Sequence, residues 1–333
     1  MRTTEVFDIY WHFAAERQRV YFRRMADPLG PWTDDTVLAD HRFTNAYRAS
    51  DRVSQYLIRD VQYRGDRPAT ADELFFRTIL FKIFNRIETW EALEAKLGPL
   101  TWANIDLESI SATLEELMQS GRRIYSAAYI MPSPRYGHVR KHDNHLALLV
   151  DMMEHQLPQR LQQLPTLKAV YETLLGWSGI GKFLAFQYAI DLNYSDLLDH
   201  DEGTFVVAGP GALDGLAKCF EDFGERSPEE FIHWICDQQE VAFAERNIEF
   251  QTLYGRRLQP IDCQNLLCEI SKYARVSHPM ILGISGRTRI KQSFRAAATP
   301  LPVPFFPPKW ELDVTKTDHS VPMTNAQKRN LFA

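Results

Sequence analysis

The stretch LLGWSGIGKFLAFQYAIDLNYSDLL, residues 174–198, sets Gly179-Ile180-Gly181 between two apolar helical patterns. Two glycines one residue apart suit a sharp hairpin, with Ile180 turned inward to hold it against the helices. The second helix, read from Lys182 to Ile190, then starts with backbone N–H groups that lack an intrahelical partner, and such a start can bind a phosphate oxygen. The same residues also make a tight interhelical turn that holds no ligand. The stretch has neither the G-x-x-x-x-G-K-S/T signature of a nucleotide phosphate loop nor the full G-x-G-x-x-G fingerprint after a strand, so no nucleotide cofactor is expected.

Working outward, helical patterns dominate. They cover Val6 to Met25, which ends before Asp27-Pro28-Leu29-Gly30-Pro31, then Asp51 to Asp60, and Ala71 to Leu97. The last of these carries Leu74, Phe75, Ile79, Phe81, Ile83, Phe84 and Ile87, interrupted by Arg77, Lys82 and Arg86, the pattern of a helix inside a large helical core. Further helices are predicted over Asp106–Met118, Asn144–Met153, Leu161–Leu175, Ser227 to about Asn247, and Asp262–Arg275. Ser227-Pro228-Glu229-Glu230 is a strong helix start, with a Ser cap, Pro at the first position and acidic residues in the first turn. Thr204 to Ala208 reads as a short extended piece. The expected fold is mostly α, with one helical domain over residues 1–295. Thr299 to Lys309 holds five prolines, so residues 296–333 read as a wrapping or partly flexible extension.

The 333 residues are 45% apolar and carry a formal charge of −5, which supports a globular protein and excludes only a uniformly basic one. There is no run of eighteen apolar residues and no signal-peptide pattern at the start. An intracellular soluble protein, cytoplasmic or nuclear and not membrane-bound, is expected. Cys219, Cys236, Cys263 and Cys268 form no C-x-x-C pair, and His142 and His145 have no convincing further ligands nearby, so no metal site is expected.

Leu175 to Gly181 resembles the helix–hairpin–helix turn of the DNA glycosylase superfamily. The resemblance implies a two-lobed helical fold in which the turn, here Gly179, Gly181 and Lys182, holds the DNA backbone while a base rotates into a pocket. The catalytic lysine of bifunctional members falls on Phe183 here, which argues against Schiff-base lyase chemistry. The family's catalytic aspartate falls near Asp201, with Asp191 as the alternative. The four-cysteine pattern of the iron–sulfur members is absent.

Separated stretches carry a second, wider resemblance. They are Arg42 to Arg52, Phe84 to Trp90, the Gly-Ile-Gly region, Ala208 to Ala212, and Cys268 to Tyr273. In this order and spacing, over about residues 5–295, the chain resembles the helical family associated with thymine hypermodification in phage DNA. That family includes the helical domain named for 5-hydroxymethyluracil DNA kinase and the alpha-glutamyl/putrescinyl thymine pyrophosphorylases. The resemblance implies action on a modified pyrimidine in DNA, where an activated hydroxymethyl group loses phosphate or pyrophosphate to an incoming amine. A small amine donor and a separate kinase are the implied partners, because the chain has no phosphate loop of its own.

Such a displacement needs an extruded base, a general base and cationic stabilisation of the leaving group. Glu269, Lys272 and Tyr273 share one side of a helix and suit proton acceptance, phosphate binding and base stacking; the same set also makes an ordinary surface ion pair beside a buried tyrosine. Asn45, Arg48, Asp51 and Arg52, together with Asn85 and Glu88, are read as pocket residues. Arg275, Arg287, Arg289 and Lys291 supply cations for phosphate contact or for a solvated face. A monofunctional base hydrolase using Asp191 or Asp201 and a noncatalytic reader of modified DNA are the competing functions.

Overall fold

Thr4 starts the first helix: its side chain accepts the Val6 N–H, and Glu5 and Asp8 follow where the helix dipole favours negative charge. In the computed structural model, which describes residues 2–222, 224–296 and 299–315, helices make up most of the chain. Among the described residues they are α1 (Glu5–Ala26), α2 (Thr36–Asp40), α3 (Arg52–Tyr56), α4 (Ala71–Phe84), α5 (Ile87–Leu97), α6 (Leu107–Gln119) and α7 (Lys141–Glu154). After these come α8 (Leu157–Gln162), α9 (Leu167–Leu175), α10 (Lys182–Tyr194), α11 (Pro210–Cys219), α12 (Pro228–Asp237), α13 (Gln239–Glu245) and α14 (Pro260–Ser277). The strands β1 (Arg2–Thr3) and β2 (Phe220–Asp222) pair antiparallel, with Arg2 opposite Asp222 and Thr3 opposite Phe220.

The chain divides into two compact units. The first comprises the described parts of 1–51, 206–304 and 310–333. Its core sets the Phe7 ring 4.9 Å from Phe220, and Phe220 4.9 Å from Phe231. Here α11 lies very close to α14: a Cβ on Gly211 would sit 2.9 Å from Cys268 Sγ, and one on Gly215 would overlap the Leu267 carbonyl. Only glycine permits that approach. Helix α12 begins as its sequence suggests, with a reciprocal capping box between Ser227 and Glu230 and Pro228 in the first turn.

The second unit holds residues 52–205 and 305–309. Helix α4 is its axis, buried from Glu73 to Phe84 and packed by α7, α8 and α10. The buried Glu73 carboxylate accepts the N–H groups of Trp102 and Ala103, each at 3.0 Å. Residues 305–309 pack here: Gln55 exchanges two hydrogen bonds with the Phe305 backbone, at 2.8 and 3.0 Å, and Lys309 Nζ donates to the Ser195 carbonyl at 2.9 Å. The end of the extension, 316–333, lies outside the described residues.

Several helices are shorter than periodicity predicts. The 71–97 pattern breaks at Asn85, which takes a left-handed conformation with φ 49° and ends α4. Leu161–Leu175 breaks where Pro165 separates α8 from α9, and 227–247 divides into α12 and α13 at Gln238. The 51–60 pattern runs from α3 into a π-helical segment, Leu57–Gln62. Thr204–Ala208 forms no strand; it begins in a 3-10 turn and continues as irregular chain.

Candidate functional site

In the first unit, residues 43–51 form a tight loop whose polar groups are shared with α1 and α14. Asn45 closes it: its N–H donates to Asp51 Oδ1 and its side-chain amide donates to the Ser50 carbonyl, each at 2.7 Å. From α1, Arg17 donates through Nε to the Thr44 carbonyl at 2.8 Å and through Nη2 to Asn45 Oδ1 at 2.7 Å. From α14, Glu269 Oε2 accepts the Thr44 N–H at 3.1 Å and binds Lys272 Nζ at 2.7 Å. Asn265, one turn earlier, donates to Thr44 Oγ1 at 3.0 Å, and the Lys272 ammonium lies 4.5 Å above the Phe43 ring. Arg48 is buried, and its N–H donates to Asp262 Oδ1 at 2.8 Å.

The arrangement gathers three carboxylates, Asp51, Glu269 and Asp262, and three cations, Arg17, Arg48 and Lys272, around one short loop. Burial raises the Asp51 carboxyl to about 7, against the opposing pull of the Asn45 N–H and Arg17, while Glu269 pushes it further up. Burial likewise lowers the Arg17 guanidinium and lifts Asp262 to about 6. A half-buried acid that titrates near neutrality can give and take a proton at cellular pH, the property a general base needs.

In the second unit, α9 and α10 pack on each other across the turn 176–181. Gly179 has φ +78°, Ile180 is buried at 4% exposure, and the Ile180 N–H closes the turn on the Trp177 carbonyl at 3.1 Å. The Ser178 hydroxyl accepts the Arg135 N–H at 3.3 Å, tying the irregular chain between α6 and α7 to the turn. Gly181 caps α10 without a side-chain partner, and both Gly181 and Lys182 are exposed, so α10 begins as an uncapped helix start at the surface. Beyond this end α10 is buried from Leu184 to Tyr194.

Asp191 and Asn85 meet inside this unit through Lys82. Lys82 Nζ is 3.1 Å from Asp191 Oδ2 and 2.8 Å from Asn85 Oδ1, and the Tyr129 ring lies 4.7 Å over the ammonium. Tyr129 has φ 57° and stacks on Phe183 at 5.5 Å. Asp201 is exposed and caps a 3-10 turn, accepting the Gly203 N–H at 2.7 Å. Arg52 and Glu88 form an exposed ion pair at 2.9 Å.

The Tyr273 hydroxyl is taken up elsewhere than by Glu269 or Lys272: it donates to Asp35 at 2.6 Å, and its ring packs on Phe13 and on Phe43, the ring that Lys272 also covers. Arg275 is half-buried and donates to the Arg289 carbonyl at 3.2 Å, while Arg287, Arg289 and Lys291 are exposed. Both ring nitrogens of His145 are engaged, by Tyr125 and by the Pro132 carbonyl. No group of three or more His, Cys, Asp or Glu placed to hold a metal ion occurs among the described residues, and none of the described helices is long and apolar enough to cross a membrane.

The structure therefore brings Asn45 and Asp51 together with Glu269 and Lys272, and separately Asn85 with Asp191. Sequence reasoning missed Arg17, Asp262, Asn265 and Lys82 as participants. Lys82 did leave a signal, as a cation inside the most apolar helical pattern of the chain; Arg17 left none, because α1 carries many polar residues.

The family model described as 5-hmdU DNA kinase, helical domain, matches residues 4–283. A curated relative, the 5-hmdU DNA kinase of Bacillus phage SP10, is 26% identical over 288 residues, which cover 80% of this chain and 45% of the relative. The chain thus spans less than half the length of that relative. No solved structure matches.

Proposed function

The chain belongs to the family of the 5-hmdU DNA kinase helical domain, and from that premise we propose that it acts on DNA carrying an activated 5-hydroxymethyluracil. In the proposed reaction an amine attacks the exocyclic methylene carbon of the base. The carbon–oxygen bond breaks, phosphate or pyrophosphate leaves with the electron pair, and the surplus proton of the new C–N centre passes to a carboxylate. Asp51 takes that proton, with Glu269 beside it; Lys272 and Arg17 stabilise the departing anion, and Asn45 orients the loop that carries Asp51. The α10 start at Gly179–Lys182 holds the DNA backbone, as in the glycosylase-like turn it resembles. A separate kinase supplies the phosphate.

The observation that carries this reading is the shared loop: Asp51 accepts the Asn45 N–H, Arg17 binds the Asn45 side chain, and Glu269, paired with Lys272, accepts the Thr44 N–H. A base hydrolase working through Asp191 has less support, because that carboxylate is fully buried and paired with Lys82. The test is mass analysis of a duplex bearing 5-hydroxymethyluracil in its phosphate or pyrophosphate form, incubated with the full chain and candidate amines. The expected product is the aminomethyl base with release of the leaving group. An abasic site would instead support the hydrolase, and unchanged DNA bound only when modified would support a reader.

A further inference from the structure

Between Glu269 and Glu311 the chain has no aspartate or glutamate against seven lysines and arginines, in a protein whose formal charge is −5. Inside this run, Met280, Leu282 and Ile284 stand in solvent at 90%, 68% and 69% exposure, directly ahead of the exposed Arg287, Arg289 and Lys291. Three large apolar side chains left this exposed within five residues of chain go beyond the singly scattered apolar residue of an ordinary surface, and mark a segment that meets a partner. The segment is also built rather than loose. Asp214 on α11 accepts the Ser285 N–H at 2.6 Å and the Ser271 hydroxyl, and it fills the space a Cβ on Gly283 would need. Downstream, Arg42 N–H donates to the Gln292 carbonyl at 3.1 Å and Phe294 N–H to the Asp40 carbonyl at 2.8 Å, while Arg275 holds the Arg289 carbonyl.

We propose that residues 280–291 are a DNA-opening wedge. Met280, Leu282 and Ile284 insert between base steps and unstack them, and Arg287, Arg289 and Lys291 neutralise the adjacent phosphates. The inference rests on the proposed reading that this chain meets DNA, and it adds how a base leaves the stack. Apolar side chains flanked by cations, with no carboxylate in the run, complement the two faces of a nucleic acid, its stacked bases and its dense phosphates. An anionic lipid surface also attracts cations and apolar groups. It favours them on opposite faces of one helix, whereas here they follow each other along a pinned loop.

The test uses the full chain and an unmodified duplex with 2-aminopurine at the central steps, whose fluorescence rises on unstacking. The wild-type protein is expected to raise that fluorescence with salt-sensitive affinity. A Met280→Ser/Leu282→Ser/Ile284→Ser variant, its fold checked by thermal unfolding, is expected to bind the duplex within a few-fold yet lose the rise. Arg287→Ala and Arg289→Ala are each expected to reduce the slope of log K against log salt by about 0.9. Unstacking by the triple variant equal to wild type, wild-type binding without unstacking, or binding to phosphatidylserine vesicles in place of DNA each overturns the wedge. Because this duplex carries no modified base, failure of the chemistry on activated 5-hydroxymethyluracil leaves the readout intact, so the two proposals fail separately.

Discussion

Lys82 Nζ lies 3.1 Å from Asp191 Oδ2, and the two side chains are 4% and 0% exposed. Two charges taken out of water are tolerated because each answers the other, with Asn85 and the Tyr129 ring completing the surroundings of the ammonium. Removing one partner strands the other. Lys82→Met is expected to cost roughly 3–5 kcal/mol in urea unfolding, whereas Lys82→Met/Asp191→Leu recovers most of that loss. A single variant as stable as its parent would mean that the pair does not form in solution.

Asp51 makes stability depend on pH in a direction opposite to that of an ordinary salt-bridged carboxylate. Its folded pKa is about 7 against an ordinary aspartate value of 3.8, so between these the folded protein holds a proton that the unfolded chain has lost. Its contribution is therefore fully present below about pH 4 and is lost as pH rises through 7. Asp51→Asn, which keeps an oxygen to accept the Asn45 N–H, is expected to lose less stability than the parent between pH 5 and pH 8 in denaturant titrations. Asp262, raised to about 6, acts in the same direction, while His145, lowered to about 4 by burial, acts in the opposite one. In the amine reaction the parent rate should climb through about pH 7, and Asp51→Asn should abolish that climb together with most of the rate. An unchanged profile in the variant removes Asp51 as the base.

These two clusters differ in how far the sequence exposes them. The turn at 179–181 is legible because only a few residue types can make a hairpin with φ +78° at its first glycine. The helix start at Ser227 is legible for a similar local reason, since a capping box is a short-range pattern. The break at Asn85 is not, because asparagine inside an apolar run is compatible with a continuing helix; its side chain is held by Lys82 one turn earlier, and Lys82 in turn pairs with the distant Asp191. The cluster around Asp51 depends on Thr44 meeting Glu269 across 225 positions, and no periodicity reports such a pairing. Only the order of separated stretches in the family resemblance placed residues 42–52 and 268–273 in one list. Tyr273 illustrates the remaining limit: helical spacing puts it on the side of Glu269, yet Asp35 from another helix start claims its hydroxyl.

Gly215 tests the packing of α11 on α14 directly. A methyl group there overlaps the Leu267 carbonyl, which belongs to helix backbone and cannot swing aside. Gly215→Ala is expected to lose about 1–3 kcal/mol or more, read as a lower unfolding midpoint. Gly65→Ala supplies the control: nothing lies within 4 Å of its Cβ position and its backbone is not left-handed, so it should leave the midpoint nearly unchanged. Equal behaviour of the two variants would contradict the close helix approach.

The two glycines of the hairpin should separate stability from DNA binding. Gly179 has φ +78° and a Cβ there would press on Pro134 at 3.3 Å, so Gly179→Ala combines backbone strain with a steric shift of the turn. Left-handed backbone alone costs an L-residue roughly 1–2 kcal/mol, and the variant should melt earlier. Gly181 has φ −85° and open space at its Cβ position, so Gly181→Ala should fold as the parent does. It nonetheless sets a methyl group at the exposed, uncapped start of α10, where the proposed phosphate contact needs close backbone approach. Weaker duplex binding by Gly181→Ala at unchanged stability, measured as a fall in affinity at fixed salt, is the expected outcome. Parental affinity in that variant would remove the α10 start from the DNA interface while leaving the Asp51 cluster untouched.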